Sequence, residues 1–131
     1  MDHARRRRAF RRADKHRVHQ PLRRDSFART ELFFGSARAA GEVTEAEFKQ
    51  FLDVFITPRF PDGLTLLTGH GQFLGSKGPV RERSFLLILL YPAKALDENS
   101  KKIEEIREQY KQQFDQESVL RSDRCCERVG F

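Results

Sequence analysis

Residues 29–35 read R-T-E-L-F-F-G. If this stretch is a strand, its side chains fall on two faces with a period of two. Thr30, Leu32 and Phe34 then share one face, and Arg29, Glu31 and Phe33 share the other. The first set suits a core. The second places two opposite charges beside a phenylalanine, and two readings fit it. It is either a plain amphipathic edge or a polar site set into a mostly apolar sheet. The strand's neighbours decide between them.

Downstream, T-E-A-E at Thr44–Glu47 carries a capping-box signature. Phe48, Phe51, Leu52, Phe55 and Ile56 then recur at helical spacing and form one apolar stripe. Thr57 precedes Pro58 and is pushed out of helical geometry, so the helix stops there. T-P-R-F-P-D-G is a stiff turn, with two prolines fixing φ and Asp62-Gly63 favouring a reversal. A second strand is expected over Leu64–Thr68. The glycine-rich run after it, at 69, 71, 75 and 78, fits a bent extension and a hairpin loop. A third strand over Val80–Tyr91 is apolar on both faces at Phe85–Tyr91 and ends at Pro92. A second helix begins near Glu98–Ser100, with Ile103, Ile106, Tyr110 and Phe114 as its stripe. Ser118–Cys126 makes the last strand, with Arg121 and Asp123 on one face and Leu120, Ser122 and Arg124 on the other.

The order βαββαβ is the ferredoxin-like arrangement, an α+β fold. Its four-stranded antiparallel sheet centres the first and third strands, which here are the most apolar. Both helices should cover one face. The other then shows Phe33 and half of the third strand with no helix to hide them, which predicts a homodimer.

With 131 residues, the chain is long enough for one domain with a real core. No stretch approaches the ~20 apolar residues of a membrane helix. The net charge of +6 is unevenly spread. Residues 1–24 hold nine Arg and one Lys against Asp2 and Asp14, a net +8; the remainder holds 15 basic and 17 acidic side chains, a net −2. The chain therefore divides into an Arg-rich tail, 1–24, too polar to bury a core and expected to be disordered, and a near-neutral domain, 25–131. Three readings of the tail compete: counterion-release binding to nucleic acid or an anionic membrane, an Arg-rich targeting segment that lacks the serines and amphipathic stripe of a transit peptide, or an extension without a role. It has no apolar run after its arginines, so it is not a signal peptide, and a cytoplasmic location is expected. The two cysteines, Cys125 and Cys126, adjoin and can bridge no distant segments; two free thiols on opposite faces of the last strand are expected. No metal site and no cofactor motif is found. His70 is the one histidine of the body and is expected in solvent.

Several motifs follow one another in order: R-T-E-L-F-F-G, E-A-E-F-K-Q-F-L-D, T-P-R-F-P-D-G-L-T, G-x-G-Q-F, V-R-E and Y-K-Q-Q-F-x-Q-E-S-V-L-R. Together they resemble a bacterial family of domains of unknown function, number three-five-seven-four, over about residues 29–131. The resemblance implies no activity. It implies relatives that often look exported, from which this chain's Arg-rich start departs. Members commonly read G-Q-W and R-E-P, where this chain has Phe73 and Arg83.

Arg29, Glu31, Gln72 and Arg121 are the residues expected to line a polar cavity on the open sheet face. Arginine there can hold a carboxylate or phosphate by forked hydrogen bonds, and Glu31 is the candidate general base. Arg59, in the proline-rich turn, is a further candidate for ligand binding. Against this stands a structural reading, in which Arg29, Glu31 and Arg121 form an ion-pair network and Arg59 pairs with Asp62. The functional expectation is a small, anionic ligand bound at the open face of a homodimer, with or without catalysis. The alternative is a binding module acting through its tail.

Overall fold

The computed structural model describes residues 24–131. The elements are β1 (Arg24–Gly35), α1 (Glu45–Phe51), β2 (Thr65–Gly75), β3 (Gly78–Pro92), α2 (Leu96–Gln113) and β4 (Leu120–Gly130). The sheet order is β2-β3-β1-β4, with all three pairings antiparallel. This is the ferredoxin-like α+β arrangement, with β1 and β3 in the middle. Apart from the backbone of Arg24, the expectations for segment 1–24, disorder and nucleic-acid contact, fall outside the described residues. Among the described residues, no helix is long and apolar enough to cross a membrane.

The alternation in β1 sorts as read. Ala28, Thr30, Leu32 and Phe34 are buried, whereas Arg29, Glu31 and Phe33 are half-buried on the opposite face. From β3, Phe85, Leu87, Leu89 and Tyr91 join the core face. α1 and α2 cover it with Phe48, Phe51, Ile103, Ile106 and Tyr110. Phe34 sits at the junction, its ring 5.1 Å from Phe48, 6.5 Å from Phe51 and 4.7 Å from Tyr110, all edge-on.

α1 starts as its sequence dictates. Thr44 accepts from the Glu47 N–H, and the Glu47 carboxylate accepts from the Thr44 N–H. The helix then widens over Leu52–Ile56 into a π-helical turn, and the Thr57 N–H reaches the Leu52 carbonyl at 2.8 Å. The widening corrects the expected stripe. It brings Phe51 and Ile56, five apart, into the core together, while Leu52 and Phe55 stay half-buried. The strands are longer than expected. β2 and β3 run to a hairpin at Ser76-Lys77, where Gly78 takes φ +117°, a left-handed value that glycine tolerates without cost. β4 reaches Gly130, four residues past the point where its alternation was expected to end.

Paired residues across the open face form rows. Leu67, Leu86, Phe33 and Leu120 make one apolar row spanning all four strands. Thr65, Ile88, Glu31 and Ser122 make the next, and Leu90, Arg29 and Arg124 the third. Polarity therefore rises along the face, from the Phe33 row toward the Arg29 row and toward β4.

Phe34→Ala should destabilise the domain by about 3–5 kcal/mol, because the ring joins both helices to the central strand. Urea unfolding followed by circular dichroism would measure it, and a loss below about 1 kcal/mol would contradict this account of the core.

Candidate functional site

β2 begins at Thr65, opposite Ile88, so β3 runs on to Pro92 with only β1 beside it. The missing strand leaves a notch at the sheet edge. The turn after α1 fills only its rim. Pro58 and Pro61 stiffen this turn, Gly63 takes φ +152°, and the Phe60 N–H reaches back to the Ile56 carbonyl at 3.1 Å. The result is a cleft of about 640 Å³, a size usual for small-molecule sites. Phe60, Tyr91, Ile88 and Leu90 give it an apolar floor. Arg59, Asp62, Asn99 and Lys102 supply polar groups, and Phe27, Val129 and Phe131 close one wall.

Two cations stand at this cleft, and they differ in freedom. Arg59 is committed to the protein: it pairs with Glu105 at 3.0 Å, donates to the Phe55 carbonyl at 2.9 Å and lies 3.7 Å over the Phe55 ring. The expected partner, Asp62, is replaced by Glu105 because the turn folds against α2. Lys102 has no ion-pair partner among the described residues and lies 6.0 Å from the Phe60 ring centre. Asn99 spends one amide hydrogen on the Ala95 carbonyl.

The four residues expected to meet on the open face do not meet. Arg29 and Glu31 are there. Arg29 pairs with Glu127 at 3.0 Å, and Glu31 has no ion-pair partner among the described residues. Arg121 is on the helix-covered face, opposite Leu32 in the ladder. Its parity along β4 follows from the pairing with β1, which the chain alone does not show. Gln72 faces Arg81 at the hairpin end of β3, roughly 30 Å along the strand from Leu90, the partner of Arg29. It lines a separate polar hollow of about 570 Å³ with Glu42, His70, Arg81, Glu82 and Arg83. His70 is exposed, and no cluster of three metal-ligating side chains occurs among the described residues.

Beneath α2 the structure holds a polar network that sequence reading missed. Thr30, fully buried, shares a 2.8 Å hydrogen bond with the Tyr91 hydroxyl and donates to Asp123 at 2.7 Å. Arg121 joins Asp123 to Glu104, at 3.0 and 2.8 Å, and donates to the Ser100 hydroxyl. Burial alone would weaken the charge of Arg121, but the two carboxylates outweigh it and hold the guanidinium protonated. Burial pushes the Glu104 carboxyl up; hydrogen bonds from Arg121 and Arg107 more than offset this and hold it below the usual range. Tyr91 also lines the cleft, so the network ends under the cleft floor. Tyr110 belongs to the core, as expected: fully buried, it donates to the Gly35 carbonyl, and burial raises its phenol far above the ordinary value.

Residues 29–131 match the family described as "Protein of unknown function (DUF3574)". No curated protein matches the chain. Among solved structures, a phage SAM lyase in complex with S-methyl-5'-thioadenosine is similar, with TM-score 0.59 and 15% identity over 86% of this chain and 95% of that one. The same kind of enzyme in the apo state gives 0.56 and 13%, over 81% and 90%. CutA from Synechococcus elongatus, complexed with a Bis-Tris molecule, gives 0.50 and 10%, over 83% and 90%. At these identities the likeness is one of fold.

Thr30→Val keeps the shape of the side chain but strips Tyr91 and Asp123 of a buried partner. It should cost about 1–3 kcal/mol in chemical denaturation, and a neutral result would show that the network carries no net stability.

Proposed function

The chain belongs to the DUF3574 family, and from that premise we propose that it is a homodimeric domain binding a small anionic molecule in the cleft between the Phe60 turn and the end of β3. The carrying observation is Lys102, a cation without an ion-pair partner among the described residues, which lines the cleft together with Asn99 and Arg59. An apolar floor with a few convergent polar groups suits a ligand with a flat or aliphatic portion and one acidic group. The phage enzyme shows that a chain of this fold can hold a nucleoside thioether, which supports a pocket by analogy of fold only. The open-face site made of Arg29, Glu31, Gln72 and Arg121 is not retained, because those residues do not converge.

Adenosine 5'-monophosphate and S-methyl-5'-thioadenosine are probes that share a flat base and differ in charge. Calorimetry on the full chain should show the monophosphate binding more tightly. Lys102→Ala should weaken it by roughly ten- to a hundred-fold, as for the loss of one charge-assisted hydrogen bond. Binding that is indifferent to this substitution, or absent for both probes, counts against the cleft.

The second half of the proposal concerns the open face. Leu67 is 51% exposed and Leu120 64% exposed, at the two ends of one apolar row. A second copy laid on that row would cover both, and its own row with them. Light scattering after size exclusion should give a dimer for the native chain and a monomer for Leu67→Glu combined with Leu120→Glu. A native chain that elutes as a monomer at all concentrations would remove the dimer.

A further inference from the structure

Among the described residues the sheet ends in two outer edges, β2 and β4, and they differ in how they meet solvent. A strand edge presents unpaired N–H and C=O groups, and charges or bulges keep other strands from pairing with it. β4 carries both. Arg121, Asp123, Arg124, Glu127 and Arg128 lie along it, and Ala28 of β1 stands opposite two of its residues, so the ladder bulges there. β2 carries neither. Its 11 residues, T-L-L-T-G-H-G-Q-F-L-G, include no Asp, Glu, Lys or Arg, and they pair with β3 without a break from Thr65 to Gly75. Three of its apolar side chains, Leu67, Phe73 and Leu74, are exposed.

Directly opposed residues of an antiparallel pair share a face, so a two-fold pairing of β2 with itself must centre on a residue. Centred on His70, it sets Leu67 of one copy opposite Phe73 of the other on the open face. On the helix-covered face it sets Leu66 opposite Leu74. Thr68 meets Gln72, and Gly69 meets Gly71. A centre at Gly69 would put Phe73 opposite Thr65 and Leu67 opposite Gly71. A centre at Gly71 would put Leu67 opposite Gly75 and Phe73 opposite Gly69. Of these registers, the one about His70 alone gives every exposed apolar side chain of the strand an apolar neighbour.

We propose that the outer edge of β2 is a self-pairing surface, taken by β2 of a second copy in antiparallel register about His70. The sheet of one copy then continues into the sheet of the other. The edge main-chain groups supply the hydrogen bonds, and the Leu67–Phe73 and Leu66–Leu74 pairs fix the register. The contact lies at the rim of the sheet, not on the open-face row, and it rests on neither the cleft nor the dimer reading above. A single added strand pair is a small interface, so it joins molecules only as concentration rises. The open-face contact sets the species at low concentration, and the edge enlarges it.

The test is sedimentation velocity on the full chain, over a concentration series into the millimolar range. The native chain should gain size as concentration rises. His70 is exposed, so substituting it leaves the fold in place. His70→Lys or His70→Asp sets two like charges against each other at the axis. Each should raise the concentration needed for association roughly five-fold, the effect of one unfavourable cross-strand pair. An equal mixture of the two variants sets opposite charges there and should restore association. A sample mixing isotope-labelled and unlabelled chains should show Overhauser contacts between the Leu67 methyls and the Phe73 ring, which lie roughly 20 Å apart along their own strand. Association unchanged in both single variants overturns the proposal, as does a mixture no better than either variant. So does a native chain that gains no size, which would leave the edge to a strand of another protein. If the open-face dimer fails, the edge joins monomers into dimers with the same response to charge at position 70, so the two readings fail separately.

Discussion

The packing of Phe34 against Phe48, Phe51 and Tyr110 is the constraint on which the other features depend. It joins the central strand to both helices at one point. Once Phe34 faces inward, the two-residue period of a strand leaves no choice for its neighbours. Leu32 and Thr30 must be buried, and Arg29, Glu31 and Phe33 must face away. A one-residue slip would bury two charges and expose three core side chains. The register of β1 is thereby specified, and with it the register of β3 and β4, which pair on either side.

The polar groups of this domain fall into two sets, separated by the sheet. One runs from the buried Thr30 and Tyr91 out to the surface beside α2, where Asp123, Arg121 and Glu104 complete it. Such a network joins three strands and a helix through directional bonds, and its buried Thr30–Tyr91 end is the part costly to leave unmade. The other set lies on the open face, where Glu127 pairs with Arg29 and Arg124. The alternation of charge and phenylalanine in β1 resolves by position along the strand. Phe33 belongs to an apolar row crossing the whole sheet, and Arg29 belongs to a charged row at its far end.

The cleft and the bulge arise from breaks in regularity at the same end of the sheet. β2 starts late, so the end of β3 loses one neighbour and a hollow opens. β4 carries one extra residue opposite Ala28, so its last segment turns Val129 and Phe131 toward that hollow. The cleft shares Phe60 and Tyr91 with the core, and the bulge stands opposite Ala28, itself a core residue. Both shape the surface on which a ligand would act, which is where departures from ideal geometry are tolerated and used.

The sequence by itself determined the element order, the two central strands, the α1 capping box and the open apolar face. Each rests on local periodicity or on a short-range hydrogen bond, and such signals are written in adjacent residues. It also pointed to the proline-rich turn with Arg59. It did not reveal that Arg121 lies beneath α2, that Gln72 sits at the far end of the hairpin, or that Lys102 joins Phe60 and Tyr91 at one cleft. Those are juxtapositions of residues distant in the chain, set by which strands pair and in what register. The bulge shows the reason most clearly. Strict alternation along β4 would put Glu127 on the face of Asp123, and the extra residue opposite Ala28 of β1 turns it to Arg29 instead. Only the tertiary structure decided which residues form a site, because a strand's own period is silent about the strand beside it.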